Sequence, residues 1–175
     1  MLFALAALLI SDESQATPRA VQACDYRVEY TTAFTAPDAS DSAVAEIVGE
    51  NCDQAAVLYH VFDGTGRRVF FGASTVEFLW SSVGAPPTRD QLVRFLSTNA
   101  LQVGLTPARA SELPEHPRGH DVGDGFCLSA DPVTYVRART DGGPLISVME
   151  DPEYPTYLWY DDLTGRAVRL GTGCY

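Results

Sequence analysis

The sequence predicts an α+β fold, in which an antiparallel sheet built from hairpins carries a few short helices on one face. Two hairpin patterns support this fold, at Leu58–Gly72 and Thr156–Gly171, because each has two strand-like runs around a turn containing glycine. In the later pattern the run Tyr157–Tyr160 is apolar on both faces, which predicts that other elements cover it on both sides. An even number of cysteines adds the expectation that disulfides stabilise the fold.

The first part of the chain is predicted to contain a strand, a short helix and the first hairpin. Asp25–Phe34 alternates apolar and polar residues, which indicates a half-buried strand. Apolar residues recur at helical spacing in Asp41–Val48 and stop at a glycine, so a short helix is expected there. Ala55–Phe62 and Arg67–Gly72 are the two arms of the hairpin.

The middle of the chain has the clearest signals for helix starts. Ser74–Glu77 fits a capping box and predicts a short helix. Thr88–Gln91 fits a second capping box and opens the strongest predicted helix, Arg89–Leu101. Thr106–Pro107 resembles a cap followed by proline at the first helical position, which predicts one or two turns through Leu113.

The last third of the chain is predicted to be an antiparallel meander. Val133–Thr140 and Leu145–Glu150 flank the turn-like Asp141–Pro144, which predicts a further hairpin before Thr156–Gly171. The preceding Pro114–Gly125 has prolines, glycines and no periodicity, so it is predicted to be a loop.

The start of the chain predicts export from the cytoplasm. Met1–Ile10 is an apolar run too short to span a bilayer, and Ser14–Ala16 has small residues where a signal peptidase cuts. We therefore expect residues 1–16 to be a signal peptide and residues 17–175 a single domain, without a transmembrane helix in the mature chain. The alternative is that Met1–Ile10 forms a core element. Export would place the protein in the periplasm or outside the cell.

Four cysteines, Cys24, Cys52, Cys127 and Cys174, fit two disulfides in an exported chain. Three connectivities are open, and Cys24–Cys52 with Cys127–Cys174 is favoured because each bridge would tie a local substructure. The spacing does not match a zinc knuckle or a thioredoxin-like site. Val21–Cys24 loosely resembles a lipoprotein acylation box, so a lipid anchor on Cys24 is an alternative.

The charge of the chain excludes several classes of function. The formal net charge is −11, and the chain has no lysine. Nucleic-acid binding needs clustered positive charge, so no nucleic-acid partner is expected. Without lysine, Schiff-base, Ser-Lys and P-loop chemistry are excluded as well.

Metal binding is the first candidate for a functional site. The candidate ligands in the Pro114–Gly125 loop are His116, His120, Asp121 and Asp124. Imidazole and carboxylate groups together could hold a divalent ion such as Zn²⁺, which would make the protein a small metal-dependent hydrolase. His60, on a strand-like run, could then act as a base opposite this loop.

Ligand binding by aromatic residues is the second candidate. Tyr157 and Trp159 lie on one face of the predicted strand, and an uncovered face would stack sugar rings or bind a partner protein. The alternative is that both rings pack in the core. The function expected from the sequence is a non-catalytic module that binds an unknown protein or glycan, without a cofactor. A purely structural envelope protein is a third hypothesis.

Overall fold

The computed structural model describes residues 24–104, 108–115 and 126–173, which build two antiparallel sheets. The first sheet has four strands that pair in the order of the sequence. They are β1 Cys24–Thr32, β2 Asp41–Gly49, β3 Ala56–Phe62 and β4 Arg68–Thr75. The predicted strand Asp25–Phe34 and the first predicted hairpin are therefore confirmed.

The predicted helix over Asp41–Val48 is wrong, because this segment is β2. Ala43, Ala45 and Ile47 are fully buried and face the core with a period of two. The spacing from Val44 to Ile47 suggested a helix, but these two side chains lie on opposite faces of the strand. Both neighbouring strands pair with β2 along its length, and this pairing satisfies its backbone.

Helix α1, Val76–Leu79, follows β4 directly. Its N-cap is Thr75, whose hydroxyl accepts a hydrogen bond from the Phe78 N–H at 3.2 Å. The predicted cap, Ser74, instead lies within β4 and donates its hydroxyl to the Glu150 carbonyl at 3.3 Å. The helix thus begins one residue later than the sequence pattern predicted.

Helix α2, Arg89–Phe95, begins at the predicted capping box. Gln91 Oε1 accepts from the Thr88 N–H at 2.7 Å, and the Thr88 hydroxyl accepts from the Gln91 N–H at 3.4 Å. The last part of the predicted helix becomes one π-helical turn, Leu96–Ala100, before the chain turns into a strand.

The second sheet has five strands, in the order β5-β7-β8-β9-β6. They are β5 Leu101–Val103, β6 Phe126–Leu128, β7 Leu145–Val148, β8 Thr156–Asp161 and β9 Arg166–Gly173. Strands β8 and β9 confirm the predicted closing hairpin. The sequence predicted one sheet, whereas the hairpins divide between two.

Helix α3, Pro132–Asp141, replaces the strand predicted over Val133–Thr140. Asp131 caps its N-terminus and accepts hydrogen bonds from the next two free amides, each at 3.0 Å. Gly142 ends the helix in the left-handed conformation, with φ of 63°. Earlier in the chain, a 3₁₀ turn at Ala110–Glu112 lies in the stretch predicted to hold one or two helical turns.

Two hydrophobic cores lie on the two faces of the second sheet. The larger core packs β2 and β3 of the first sheet, together with α1 and α2, against Ile146 and Leu158. The smaller core packs α3 against Trp159 and Leu170. Strand β8 is therefore covered on both sides, as its apolar pattern predicted.

The disulfide Cys24–Cys52 forms as predicted, with a Cα–Cα distance of 5.0 Å. Cys127 is disulfide-bonded as well, and its predicted partner Cys174 lies outside the described residues. The predicted signal peptide lies in residues 1–23, which are also outside them. Across the described ranges, no helix combines the length and apolar character needed to cross a bilayer.

Candidate functional site

The predicted metal site falls outside the part of the chain that the structure describes. His116, His120, Asp121 and Asp124 all belong to residues 116–125. Among the described residues, no three histidine, cysteine or carboxylate side chains cluster as metal ligands would. The metal hypothesis therefore stays a prediction from the sequence.

Tyr157 and Trp159 share one face of β8, as predicted, but this face packs beneath other side chains. Trp159 is 3% exposed, and the Arg137 guanidinium lies 5.4 Å from its ring centroid. Tyr157 is half-buried beside Phe126, with ring centroids 5.9 Å apart, and burial raises the pKa of its hydroxyl. Trp159 offers too little surface for an open platform, and a binding role for this pair stays a prediction.

His60 lies on the face of the first sheet that points away from the core. Its Nε2 is 3.2 Å from Glu46 Oε1, and its ring stacks on Phe62 with centroids 5.8 Å apart. Its Nδ1 is buried and has no hydrogen-bond partner within the described residues. With 12% of its side chain exposed, His60 is largely buried on this face, and its role as a base opposite the loop stays a prediction.

A cavity of about 380 Å³ opens beside α1, and we call it the Trp80 cavity. It lies between the 3₁₀ turn Cys52–Gln54, the end of α1 and the loop that leads to α2. The residues that line it are Asp53, Gln54, Glu77, Trp80, Ser81, Gly84, Ala85, Pro86 and Pro87. Its volume is within the range of about 300 to 1,000 Å³ that is usual for small-ligand pockets.

Trp80 is held at the cavity wall by its packing against α2. Its ring meets Phe95 edge-on, with centroids 5.0 Å apart and an interplanar angle of 73°. Its backbone N–H donates to the Val76 carbonyl at 3.0 Å, which fixes the end of α1. The indole remains only partly buried and is the one aromatic side chain among the described residues that line the cavity.

The polar wall of the cavity is anchored by the disulfide. Asn51 caps the 3₁₀ turn by accepting from the Asp53 N–H at 3.1 Å, and Cys52 ties that turn to β1. The Val76 N–H donates to the Ala55 carbonyl at 2.9 Å, which joins α1 to the same turn. This hydrogen bond therefore joins the turn that carries Asp53 to the segment that carries Glu77 and Trp80.

The charge of the Trp80 cavity is negative. Asp53 and Glu77 are both exposed, and no arginine is among the described residues that line the cavity. Carboxylates accept hydrogen bonds, and Gln54 can both donate and accept. The cavity therefore favours ligands with hydroxyl or amine donors and disfavours anions. Pro86 and Pro87 add a rigid apolar side.

A smaller cavity of about 240 Å³ borders the edge of Trp159. Its lining combines Arg109 with Asp141 and Asp162, and the carboxylates outnumber the guanidinium. The indole edge reaches this cavity because Gly143 approaches its Nε1 so closely that a side chain there would collide. Trp159 therefore presents the edge of its indole to this cavity rather than a ring face.

Comparisons of the chain with protein-family models, curated proteins and solved structures found no match. The site must therefore be judged by its geometry. Trp80 follows the capping box that predicts a short helix at Ser74–Glu77, and the sequence predicts no binding role for it. The signal available was the tryptophan shortly before Gly84–Pro87, a rigid segment able to form the opposite wall.

Proposed function

We propose that this protein is a non-catalytic glycan-binding module that acts outside the cytoplasm, with the Trp80 cavity as its binding site. The observation that carries the proposal is the composition of this cavity. The lining combines the indole of Trp80 with carboxylate and amide hydrogen-bond acceptors, and no cation is among the described residues that line it.

The chemistry of a neutral sugar matches both walls of the cavity. The C–H bonds on one face of a pyranose ring are apolar and pack on an aromatic ring such as Trp80. Its hydroxyl groups donate hydrogen bonds to carboxylates such as Asp53 and Glu77, and also pair with the Gln54 amide. A cavity of about 380 Å³ would accommodate one or two sugar units of a longer chain.

The exposure of the two carboxylates supports binding rather than hydrolysis. A glycosidase holds one carboxyl group in an apolar environment, where it stays protonated and can act as an acid. Asp53 and Glu77 are instead both exposed to solvent. Each is then suited to accepting hydrogen bonds from the ligand.

The disulfide supports the proposed location. Disulfides persist in the periplasm and outside the cell, whereas thiols are kept reduced in the cytoplasm. Cys24–Cys52 also anchors the turn that carries Asp53, so oxidation and the integrity of the site are linked.

Isothermal titration of the oxidised protein with a panel of neutral oligosaccharides tests the proposal. We expect at least one sugar to bind, and Trp80→Ala to weaken that binding by roughly tenfold or more, as loss of an aromatic anchor does. Glu77→Gln should weaken it less, because an amide oxygen still accepts a hydrogen bond.

Phe78→Ala is the matched control for the titration. Phe78 is 48% exposed on the same helix and is not one of the residues lining the cavity, so its loss should leave the affinity unchanged. Trp80→Ala also removes the contact with Phe95, so circular dichroism must show that the variant is folded. Binding that survives Trp80→Ala, or no binding across the panel, would contradict the proposal.

A further inference from the structure

The smaller cavity beside Trp159, which we call the Trp159 cavity, lies at one end of the second sheet. Leu145, the first residue of β7, pairs with Trp159, so β8 extends beyond β7 by Tyr160 and Asp161. The cavity lies at this end, where the loop between β1 and β2 and the turn before β7 also contribute to its lining. It therefore forms only when both sheets are assembled.

The two buried residues of the described lining are both aromatic. Phe34 is 1% exposed and Trp159 is 3% exposed. The Phe34 ring also meets the ring of Tyr160, a third lining residue, edge-on with centroids 6.2 Å apart. The volume of about 240 Å³ is below the range of about 300 to 1,000 Å³ that is usual for small-ligand pockets. The cavity therefore suits a small ligand with an apolar part.

The charged residues of the lining are exposed and carry both signs of charge. They are Arg109, Asp141 and Asp162. Within the part of the chain that the structure describes, none of these three side chains forms an ion pair. Asp161 differs from its neighbour Asp162, because it is 3% exposed and binds the Arg137 guanidinium at 2.8 Å. One guanidinium and two carboxylates thus remain to pair with a ligand.

Two buried carboxylates fix the backbone on two sides of the cavity. Asp41 is 1% exposed and accepts from the Phe34 N–H at 2.8 Å and from the Thr35 N–H at 2.6 Å. Asp161 accepts from the Leu163 N–H at 3.1 Å, which fixes the turn at the end of β8. Lining segments that are already ordered reduce the entropy that a ligand must overcome.

The backbone around Arg109 is fixed to the turn that follows α3. The Ala110 N–H donates to the Gly143 carbonyl at 2.8 Å, and the Leu145 N–H donates to the Ala108 carbonyl at 2.8 Å. These two hydrogen bonds lie on either side of Arg109. Its backbone position relative to the turn is therefore set before any ligand binds.

We propose that the Trp159 cavity binds a small zwitterion, namely a free α-amino acid with an apolar side chain. The carboxylate of the ligand pairs with Arg109, whose guanidinium offers the planar donors that carboxylates accept. Its ammonium group binds Asp141 or Asp162, and its side chain packs against the aromatic residues. An anion would find no partner for the carboxylates, and a cation none for the guanidinium. A ligand with both charges matches every charged group of the described lining.

Isothermal titration of the oxidised full chain with L-leucine and L-phenylalanine tests this site. We expect at least one of them to bind. Two derivatives of the amino acid that binds then separate its charges, since the N-acetyl derivative lacks the ammonium group and the amide lacks the carboxylate. Each derivative should bind roughly tenfold more weakly than the parent, because hydrogen bonds between charged groups are the strong ones.

Substitutions in the lining assign each charge to its partner. Arg109→Gln should weaken the amino acid by roughly tenfold but should not weaken its amide, which has no carboxylate to lose. Arg109→Lys should retain part of the affinity, because it keeps the charge. Asp141→Asn combined with Asp162→Asn should weaken the amino acid and leave its N-acetyl derivative unchanged. All three side chains are exposed, so the variants should keep the fold.

Arg94→Gln is the matched control. Arg94 is an exposed arginine of α2 and is not one of the residues lining the Trp159 cavity, so its loss should change no affinity. Three results would overturn the proposal: neither amino acid binds, a derivative binds as tightly as its parent, or Arg109→Gln weakens the amino acid and its amide equally. No saccharide is present in these titrations, so each result is separate from the proposed role of the Trp80 cavity.

Discussion

Asp63 shows how a single carboxylate organises the turn between β3 and β4. Its Oδ1 accepts hydrogen bonds from the Thr65 hydroxyl at 2.6 Å and from the Thr65 and Arg67 amides at 3.0 Å. Its Oδ2 accepts from Arg67 Nε at 2.9 Å. The Thr65 hydroxyl, followed by the Arg67 guanidinium, holds the pKa of this carboxyl well below its ordinary value.

We expect Asp63→Asn to lower the urea midpoint at neutral pH, because the amide accepts these hydrogen bonds more weakly than a carboxylate. The folded-state pKa lies below the unfolded value of 3.8, so the ionised carboxylate stabilises the fold above about pH 4. That contribution is lost as the pH falls through the folded-state pKa. The difference in urea midpoint between the wild type and Asp63→Asn should therefore become smaller below pH 4.

Asp38→Asn is the control for this pH dependence. Asp38 is an exposed carboxylate in the loop between β1 and β2, where we expect the substitution to leave the midpoint unchanged. A difference between Asp63→Asn and wild type that is constant from pH 7 to about pH 3 would show that the hydrogen bonds at Asp63 do not depend on its charge.

Single residues also mark the limit of what the sequence could predict. Asp63, Gly64 and Gly66 predicted a turn because turn chemistry depends on adjacent residues. Trp80 gave no comparable signal. Its role depends on Asp53, far away in the chain, and no local pattern records that these two residues line one cavity.

At the scale of elements, α3 shows how strand propensity can mislead. Val133 and Val136 are β-branched, which favoured a strand. They are 78% and 61% exposed and lie three residues apart on the outside of the helix, whereas Tyr135 and Ala138 are buried on the inside. Asp131 and Gly142 were the stronger signals for a helix, because they cap its N-terminal and C-terminal ends.

Two substitutions in α3 distinguish a helix from the predicted strand. Val136→Ala should raise the free energy of unfolding by about 0.5 kcal/mol in a helix, whereas in a strand it would lower it. Gly142→Ala should lower it by about 1 kcal/mol, because only glycine adopts the left-handed conformation without strain. Urea unfolding of both variants checks the assignment, and a loss of stability in Val136→Ala would refute it.

At the scale of the whole molecule, a hydrogen bond and a cation–π contact tie the two sheets together. The Tyr59 hydroxyl donates to the Met149 carbonyl, and burial raises the pKa of this hydroxyl. Arg169 binds both oxygens of Glu150 at 2.7 and 2.9 Å and also lies over the Phe70 ring of β4. Gly72 permits this approach, because a side chain there would collide with Glu150.

The arrangement of the two sheets could not be predicted from the sequence. Hairpins have local signals, so β3–β4 and β8–β9 were predicted with nearly correct bounds. The pairing of β5 with β7 and of β6 with β9 joins segments more than 35 residues apart, for which a single sequence offers no pattern. The disulfide Cys24–Cys52 is an exception, since cysteines are few and easily paired.

The Trp80 cavity also belongs to this largest scale, because the disulfide-anchored turn, α1 and the loop before α2 must assemble to form it. Fluorescence of the wild-type protein tests its role directly, since the chain has two tryptophans and Trp159 is 3% exposed. Acrylamide should therefore quench Trp80 selectively. If the cavity binds glycans, a saturating oligosaccharide will shift the emission to shorter wavelength and protect Trp80 from acrylamide. Emission and quenching that stay the same at every saccharide concentration would contradict the proposed function.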